Sequence, residues 1–417
     1  MLASSQEDHG VKEEFTMKRY LLSIILGLCT LGILCTYYTY GAADHLPAYK
    51  LVTEQGDPKE GAGIELSAIY GGIGLESLSI SMEGSKYRSR ETFRDQLLSV
   101  RPWSNFSEGV GQLFRDYRQF MRGKRDPNGF YKDNEWLLYA KGNTSSGQSP
   151  QKQFQLHVDL LNVKTNEEKQ YVTEIPTDST FDYIYVDDVQ RINDQLHVLI
   201  MQGKRDESSL YFDYVLDLKS GVLIEGKQVT HWKNSTDKKI KIEVRSLSND
   251  IAPNEYMVFL VLENKVTSRG DYSNFAMLRY AYSYKTGKLF ALPDSKPKFN
   301  PNTPYYLENN SLVYANYDKN EIQLSRNNLD TGLEEREYVQ IKASELGVDK
   351  IQSFVLSHNR VNILSKKGST HLVVILDSSD GKTRYVGQVA YEGPESERDK
   401  EMGFLQLNSL QMRDTTS

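Results

Sequence analysis

Four aspartates crowd one stretch of the chain, Asp182, Asp187, Asp188 and Asp194. Paired carboxylates are what acid/base chemistry on a glycosidic bond requires. Residues 181–188 alternate like a β-strand, so Asp182 and Asp188 share one face. Six residues of strand separate them by roughly 20 Å, too far for a dyad built within that strand. A working pair would have to recruit partners from elsewhere in the fold. The chain has 7 histidines. His157, His197 and His371 stand in alternating apolar sequence and read as strand-face residues. His157 and His371 belong to the third strand of their units and His197 to the second, so nothing predicts that they meet. His231, beside Trp232, falls in a connecting loop. Residues 377–381 (Asp377 to Gly381) lack the alternating acidic ligands and closing glutamate of a calcium loop and read as a hairpin turn. No GxSxG, HExxH, phosphate-loop or CxxC motif occurs. The sequence therefore assigns no catalytic residue, no metal site and no cofactor.

One charged segment departs from the rest. Between Lys86 and Asp126 there are 10 Lys/Arg against 5 Asp/Glu, in a chain whose net charge is −6. Residues 89–124 also break the β pattern that dominates elsewhere. Ser89 is placed to cap a helix carrying Phe93, Leu97 and Leu98. A second helix is predicted from Ser107-Glu108 to Gly123, because Val110, Leu113, Phe114, Tyr117, Phe120 and Met121 fall on one stripe. Arg115, Arg118, Arg122, Lys124 and Arg125 lie on or just beyond its polar side, as candidate contacts for anionic lipid heads or an acidic partner.

What would position such residues is a repeat. Five polar leading turns, at Asn134, Asn193, Asn254, Asn309 and His358, are each followed three positions on by a short apolar strand. They are 59, 61, 55 and 49 residues apart. Each unit then reaches a trailing turn, at 164–166, 219–221, 285–287, 330–332 and 379–381, where the glycines supply the positive φ of a tight hairpin. The third strand of each unit alternates, as in Leu210–Leu218 and Ala276–Tyr284. Radially arranged four-stranded units of this length solve the edge-strand problem. Over residues 127–391 the chain resembles β-propellers as a fold class, without the WD dipeptide or the kelch glycines of particular families. The resemblance implies an all-β propeller of six four-stranded blades, with five or seven as alternatives. Residues 404–412 read as the first strand of a blade completed by residues 64–83, so that both ends of the chain close the ring. Two packed antiparallel sheets are the competing fold.

The N-terminal part carries the most specific local signal. Lys18 and Arg19 precede an uncharged run, Leu21 to Thr36, followed by Tyr37, Tyr38 and Tyr40. The 21 residues from Tyr20 to Tyr40 are about the 20 a helix needs to span a bilayer. The basic pair predicts residues 1–19 in the cytoplasm and everything after residue 43 exported. A cleaved signal peptide is the alternative, since Gly41-Ala42-Ala43 resembles a cleavage site. Leu28 and Leu34 directly precede Cys29 and Cys35, which argues against a bacterial lipobox. Codons for Lys12-Glu13-Glu14 can spell a ribosome-binding sequence, so translation is expected to start at Met17. Residues 41–62 read as a linker, and 63–413 as the extracytoplasmic domain with its helical insertion at 89–124.

Both cysteines precede that domain, so its core must hold it without disulfides. The mild charge argues against nucleic acid as a partner. The expectation is a bacterial single-pass membrane protein, with lipid contacts through residues 20–40 and its large domain outside. That domain is read as a non-catalytic binding, sensing or scaffold module for another membrane or cell-surface protein. An exported hydrolase or lyase acting on cell-wall or extracellular polysaccharide is the alternative.

Overall fold

The computed structural model describes residues 10–36, 46–72, 74–90, 108–145, 153–176, 181–203, 209–232, 234–235, 238–244, 251–266, 272–292, 304–308 and 310–412. They fall into two units, residues 1–48 and 49–417. In the first, a helix α1 runs Gly10–Thr36. Among its described side chains, Leu21, Ile24, Ile25, Leu26, Leu28, Leu31, Ile33 and Leu34 are exposed. Among the described residues no helix is long and apolar enough to cross a membrane.

The second unit is all-β and propeller-like. Among its described residues, six antiparallel sheets follow one another along the chain. Sheet I contains β2 (Ile64–Tyr70), β3 (Glu76–Ser81) and β4 (Gly84–Tyr87). Sheet II is β5 (Phe130–Lys132), β6 (Trp136–Ser145), β7 (Gln153–Asn162) and β8 (Glu168–Ile175). Sheet III is β9 (Tyr183–Ile192), β10 (Gln195–Gly203), β11 (Leu210–Asp217) and β12 (Leu223–Gln228). Sheet IV is β13 (Lys238–Val244), β14 (Tyr256–Val266), β15 (Tyr272–Ser283) and β16 (Lys288–Ala291). Sheet V is β17 (Tyr305–Glu308), β18 (Ser311–Tyr317), β19 (Glu321–Asn328) and β20 (Glu334–Lys342). Sheet VI is β21 (Lys350–Ser357), β22 (Arg360–Lys367), β23 (Thr370–Asp377) and β24 (Thr383–Tyr391). The C-terminal β25 (Leu405–Met412) pairs antiparallel with β2 and completes sheet I as its first strand.

The leading turns join first to second strands, and the trailing turns join third to fourth strands. Their chemistry repeats. In each of sheets II to VI the last residue of the third strand is Asn162, Asp217, Ser283, Asn328 or Asp377, and its side-chain oxygen accepts backbone N–H groups of the turn it opens. Its carbonyl accepts the N–H of Asn166, Gly221, Gly287, Gly332 or Gly381 at 2.7–2.9 Å. Those five residues have φ between 58° and 71°, which is why glycine or asparagine stands there. One residue further on from the opening residue, the N–H of Val163, Leu218, Tyr284, Leu329 or Ser378 donates to a carbonyl of the same sheet's leading turn at 2.8–3.0 Å. Leading and trailing turns are thus stapled together five times over.

Consecutive sheets share apolar walls. Leu138, Val158, Val186 and Val198 join sheets II and III, and Leu199, Tyr211, Phe259 and Tyr282 join III and IV. Val258, Ala281, Leu307 and Leu312 join IV and V, and Val313, Leu324, Ile363 and Val374 join V and VI. The second strands, inside these walls on both faces, are the most deeply buried, in keeping with their largely apolar sequences.

Two regions differ from the sequence-based expectation. Within the stretch read as linker, Tyr49–Gly56 forms β1, a fifth strand on the outer edge of β24. A single helical turn α2 (Pro58–Gly61) follows, capped by Asp57, whose carboxylate accepts the Lys59 N–H at 2.9 Å. Pro47 and Pro58 bracket a segment with too little alternation to announce itself. The second insertion helix is shorter than its stripe suggests: α3 covers Glu108–Asp116, then turns lead to Gly123 at φ 82°. Val110, Leu113, Phe120 and Met121 still bury against Phe130, Leu137, Tyr139 and Leu161 of sheet II, on the face turned away from sheet III. The helix read from Phe93, Leu97 and Leu98 lies outside the described residues, and residues 88–90 form a 3-10 turn.

Candidate functional site

The wall between sheets III and IV departs from the apolar pattern of the repeat. Counted four residues before the residue that opens each trailing turn, the third strands carry Val158, Asp213, Arg279, Leu324 and Val373, all buried. Leu138, His197, Val258, Val313 and Asn362 occupy the equivalent second-strand position. Sheet III alone places a carboxylate at the first position and a histidine at the second, and it makes them meet. His197 Nδ1 lies 2.8 Å from Asp213 Oδ2, with the two side chains 6% and 2% exposed. From sheet IV, Tyr282 Oη donates to the same oxygen at 2.8 Å. Among the described residues Asp213 Oδ1, which is buried, has no partner.

A second carboxylate stands beside this group because β9 is irregular. Its register with β10 slips between Leu199 opposite Asp188 and Ile200 opposite Val186, leaving Asp187 as the extra residue of a β-bulge. Bulges re-aim side chains and occur often beside functional sites. Ile184, Val186 and Val189 enter the core shared with sheet II. Asp188 and Gln190 turn toward sheet IV, where Tyr284 Oη donates to Asp188 Oδ2 at 2.6 Å and Asn254 N donates to Gln190 Oε1 at 2.8 Å. Gln190 Nε2 in turn donates to Asp188 at 3.1 Å. The Tyr282 and Tyr284 rings meet edge-on at 5.4 Å, and His197 sits 5.6 Å from the Tyr284 ring. Asp187 takes a long contact from Asn128 Nδ2 at 3.5 Å and lies beside the Tyr211 hydroxyl.

Asp187 and Asp188 lie deep in the molecule yet keep part of their surface open to solvent, whereas His197 and Asp213 are sealed. Desolvation pushes the Asp187 carboxyl up to about 7, helped by the charge of Asp126. Desolvation also lifts Asp188 to about 6, against the hydrogen bonds from Tyr284 and Gln190. Burial and then the neighbouring carboxylates push the Tyr211, Tyr282 and Tyr284 hydroxyls well above the ordinary phenol value. The arrangement can hold a ligand by carboxylates and ring faces, and it keeps protons on carboxylates near neutrality. Among the described residues no three His, Cys, Asp or Glu side chains converge as a metal site.

The other sequence candidates lie apart from this wall. Asp182 and Asp194 are exposed near opposite ends of β9, Asp194 paired with Lys219 at 3.1 Å. His371 is buried in sheet VI with Nδ1 3.0 Å from Gln352 Oε1, His157 is half-buried on β7, and His231 is exposed. In the basic segment Arg115, Arg118, Arg122 and Arg125 are exposed. Lys124 is buried instead. Its Nζ is 2.8 Å from Asp159, donates to the Phe120 carbonyl at 2.6 Å and stands over the Phe120 ring, so its charge is satisfied inside the fold. The turn at Asp377 is a hairpin turn, with the carboxyl held down at about 2 by hydrogen bonds from Ser379 and then by Arg384 and Arg360. Sequence reasoning passed over Asp213, whose partners His197 and Tyr282 stand 16 and 69 residues away, the second in another sheet. The available signal was a lone carboxylate where the third strands of sheets II, V and VI carry valine or leucine and that of sheet IV carries Arg279.

No protein-family description matches the chain. No curated protein matches it either. Solved structures similar to it include an uncharacterized protein from Listeria monocytogenes, at 11% identity over 64% of this chain and 68% of that one, TM-score 0.32. Cobalt-substituted Synechocystis apocarotenoid oxygenase is similar at 10% identity over 83% and 96%, TM-score 0.33. A prolyl endopeptidase is similar at 12% identity over 78% and 42%, TM-score 0.31. At these values the likeness carries nothing about activity.

Proposed function

We propose that this chain is a non-catalytic binding or scaffold module, a propeller held at the outer face of a bacterial membrane by its N-terminal helix. The observation that carries the binding reading is the division of the III–IV wall. The groups that reach solvent there, Asp187 and Asp188 beside tyrosine rings, are ones that hold ligands, while the proton-relay pair His197–Asp213 is sealed. The tether rests on α1. The eight leucines and isoleucines described there between Leu21 and Leu34 stand 48–70% exposed, and a helix apolar on every side belongs in lipid or in a core. In sequence the apolar stretch extends to Tyr40, behind the basic pair Lys18 and Arg19 that would keep the N-terminus cytoplasmic. The exposed Arg115, Arg118, Arg122 and Arg125 are a surface for anionic lipid heads or an acidic membrane or cell-surface partner.

Alkaline extraction of membranes from cells making the full chain tests the tether. The protein should stay in the pellet and be digested by protease added outside the cell. Release into the alkaline supernatant would remove the tether.

A hydrolase or lyase acting on cell-wall or extracellular polysaccharide is the second reading, favoured by Asp187 and Asp188, whose raised carboxyls resemble the protonated acid of a glycosidase. It requires reducing ends to accumulate from purified wall glycan and to vanish in Asp188→Asn.

A further inference from the structure

We infer that the side of the insertion turned away from sheet II docks onto anionic phospholipid, with Arg115, Arg118 and Arg122 seated on headgroup phosphates. This rests on the reading of the chain as membrane-tethered and commits the arginine surface to one partner. Docking would fix which side of the propeller meets the bilayer.

The backbone sets the three arginines on one side. Helix α3 ends at Asp116. Beyond it the Tyr117 N–H donates to the Leu113 carbonyl at 2.8 Å, and the Met121 N–H to the Tyr117 carbonyl at 2.9 Å. Two bonds of helical i to i−4 type thus carry the winding past the end of α3. Positions 115, 118 and 122 are spaced i, i+3 and i+7, which stacks them along one stripe. Val110, Leu113, Phe120 and Met121 are buried on the other side, against sheet II. Lys124, paired inside the fold with Asp159, holds the far end of the segment down. The core keeps this mount in place.

The fold makes no use of the charge. Among the described residues no carboxylate pairs with Arg115, Arg118 or Arg122, and Arg115 meets the Gln112 amide oxygen instead. Arg191, Arg326, Arg336, Arg360, Arg384 and Arg398, by contrast, each bind a carboxylate of the propeller. Asp116, the one acid from 109 to 125, is occupied by Gln112 Nε2 at 2.9 Å.

Two features select lipid over an acidic protein. Among the described residues from 108 to 132 no large apolar side chain is exposed, whereas a protein interface needs an apolar or aromatic centre. All three cations are arginine, whose planar fork takes two phosphate oxygens at once. Headgroup contacts of about five-fold each suffice, because a tether keeps the surface at high effective concentration.

The test places a fluorescent donor on Gln119→Cys, an exposed position among the arginines, in a Cys29→Ser, Cys35→Ser background. The full chain is inserted into lipid nanodiscs carrying a trace of headgroup-labelled acceptor. Energy transfer should be at least two-fold higher with about 30 mol% phosphatidylglycerol than in phosphatidylcholine alone. The gain should vanish in about 0.5 M salt. It should vanish too in the Arg115→Gln, Arg118→Gln, Arg122→Gln triple variant and persist in Lys164→Gln, an exposed lysine of sheet II. Should the triple variant fail to fold, Arg118→Gln alone should at least halve the gain. Equal transfer in the two lipids would overturn the proposal, even where polyglutamate binds the arginines, a result that points to a protein partner. So would a gain that survives the substitutions. A chain that stays out of the discs ends the tether but not the docking. It should then still sediment with the anionic vesicles at least ten-fold more tightly than the triple variant, and docking falls if it does not.

Discussion

Arg360 and Glu60, 300 residues apart in sequence, meet through two parallel hydrogen bonds, Nη2 to Oε1 at 2.8 Å and Nε to Oε2 at 3.0 Å. Arg360 opens β22 at the leading turn of sheet VI, and Glu60 lies in α2, just after the strand β1 that extends the same sheet. The same guanidinium also reaches Asp377 of the trailing turn at 3.4 Å. The segment entering the propeller is thereby pinned to a turn of the last sheet. Two-pronged arginine–carboxylate pairs that are partly buried contribute more than exposed ones. A double-mutant cycle with Arg360→Ala and Glu60→Ala should give a coupling of about 1 kcal/mol in urea unfolding, with Arg360→Ala the costlier single change because it also releases Asp377.

The polar wall between sheets III and IV makes a sharper prediction. Asp213→Val gives sheet III the residue type found at Val158 and Val373, yet it strands His197 and the Tyr282 hydroxyl. Breaking a buried pair this way should cost about 3 kcal/mol. Adding His197→Leu and Tyr282→Phe removes the stranded groups, and the triple variant should return to within about 1 kcal/mol of the natural chain. Equal losses in the single and triple variants would mean that packing, and not unpaired polarity, sets the cost.

Two desolvated groups should tilt stability against pH in opposite directions. His371 is held down to about 4, first by desolvation and then by Lys366 and Lys350. Between pH 4 and its ordinary value of 6.5 the unfolded chain binds this proton and the folded one does not, so stability rises with pH across that window. Asp188, lifted from 3.8 to about 6, keeps its proton when folded, so its contribution falls as pH rises from about 4 to 6. Urea midpoints measured from pH 4 to 7 should therefore flatten in His371→Gln and steepen in Asp188→Asn.

The trailing turns separate backbone strain from crowding. Gly332 has φ 71° with nothing within 4 Å of a built Cβ, so Gly332→Ala should cost about 1 kcal/mol through conformation alone. Gly221 has φ 70°, and there a Cβ would lie 2.3 Å from Tyr171 Cγ. Gly221→Ala should cost about twice as much, measured by thermal unfolding of both variants.

The turns were legible because they carry a stereochemical demand that few residues meet. Asn193 and Asn310, at φ 57° and 58°, and the four trailing glycines are visible in sequence for that reason. The strand that closes sheet I was legible too, because residues 405–412 alternate as a first strand must. β1 was not: it is an edge strand flanked by prolines, and its pairing with β24 depends on a partner more than 300 residues away. The site was hidden for a related reason. Asp188 and Asp213 are joined by Tyr282 and Tyr284 of another sheet, and no spacing within one strand announces a contact between sheets. Lys124 read as a surface cation because helical periodicity cannot see Asp159 waiting on β7.

Closure of the ring by both ends of the chain is most directly tested by a cross-link. Ser67 of β2 and Ser409 of β25 are register partners, and the two natural cysteines, Cys29 and Cys35, lie outside the propeller and can be replaced by serine. Antiparallel partners have Cα atoms about 4.5–5.5 Å apart, within disulfide range. In the Cys29→Ser, Cys35→Ser background, Ser67→Cys with Ser409→Cys should form an intramolecular disulfide on mild oxidation, without loss of fold and with a raised unfolding temperature. Free thiols persisting under oxidation, or disulfides formed only between molecules, would contradict the closure.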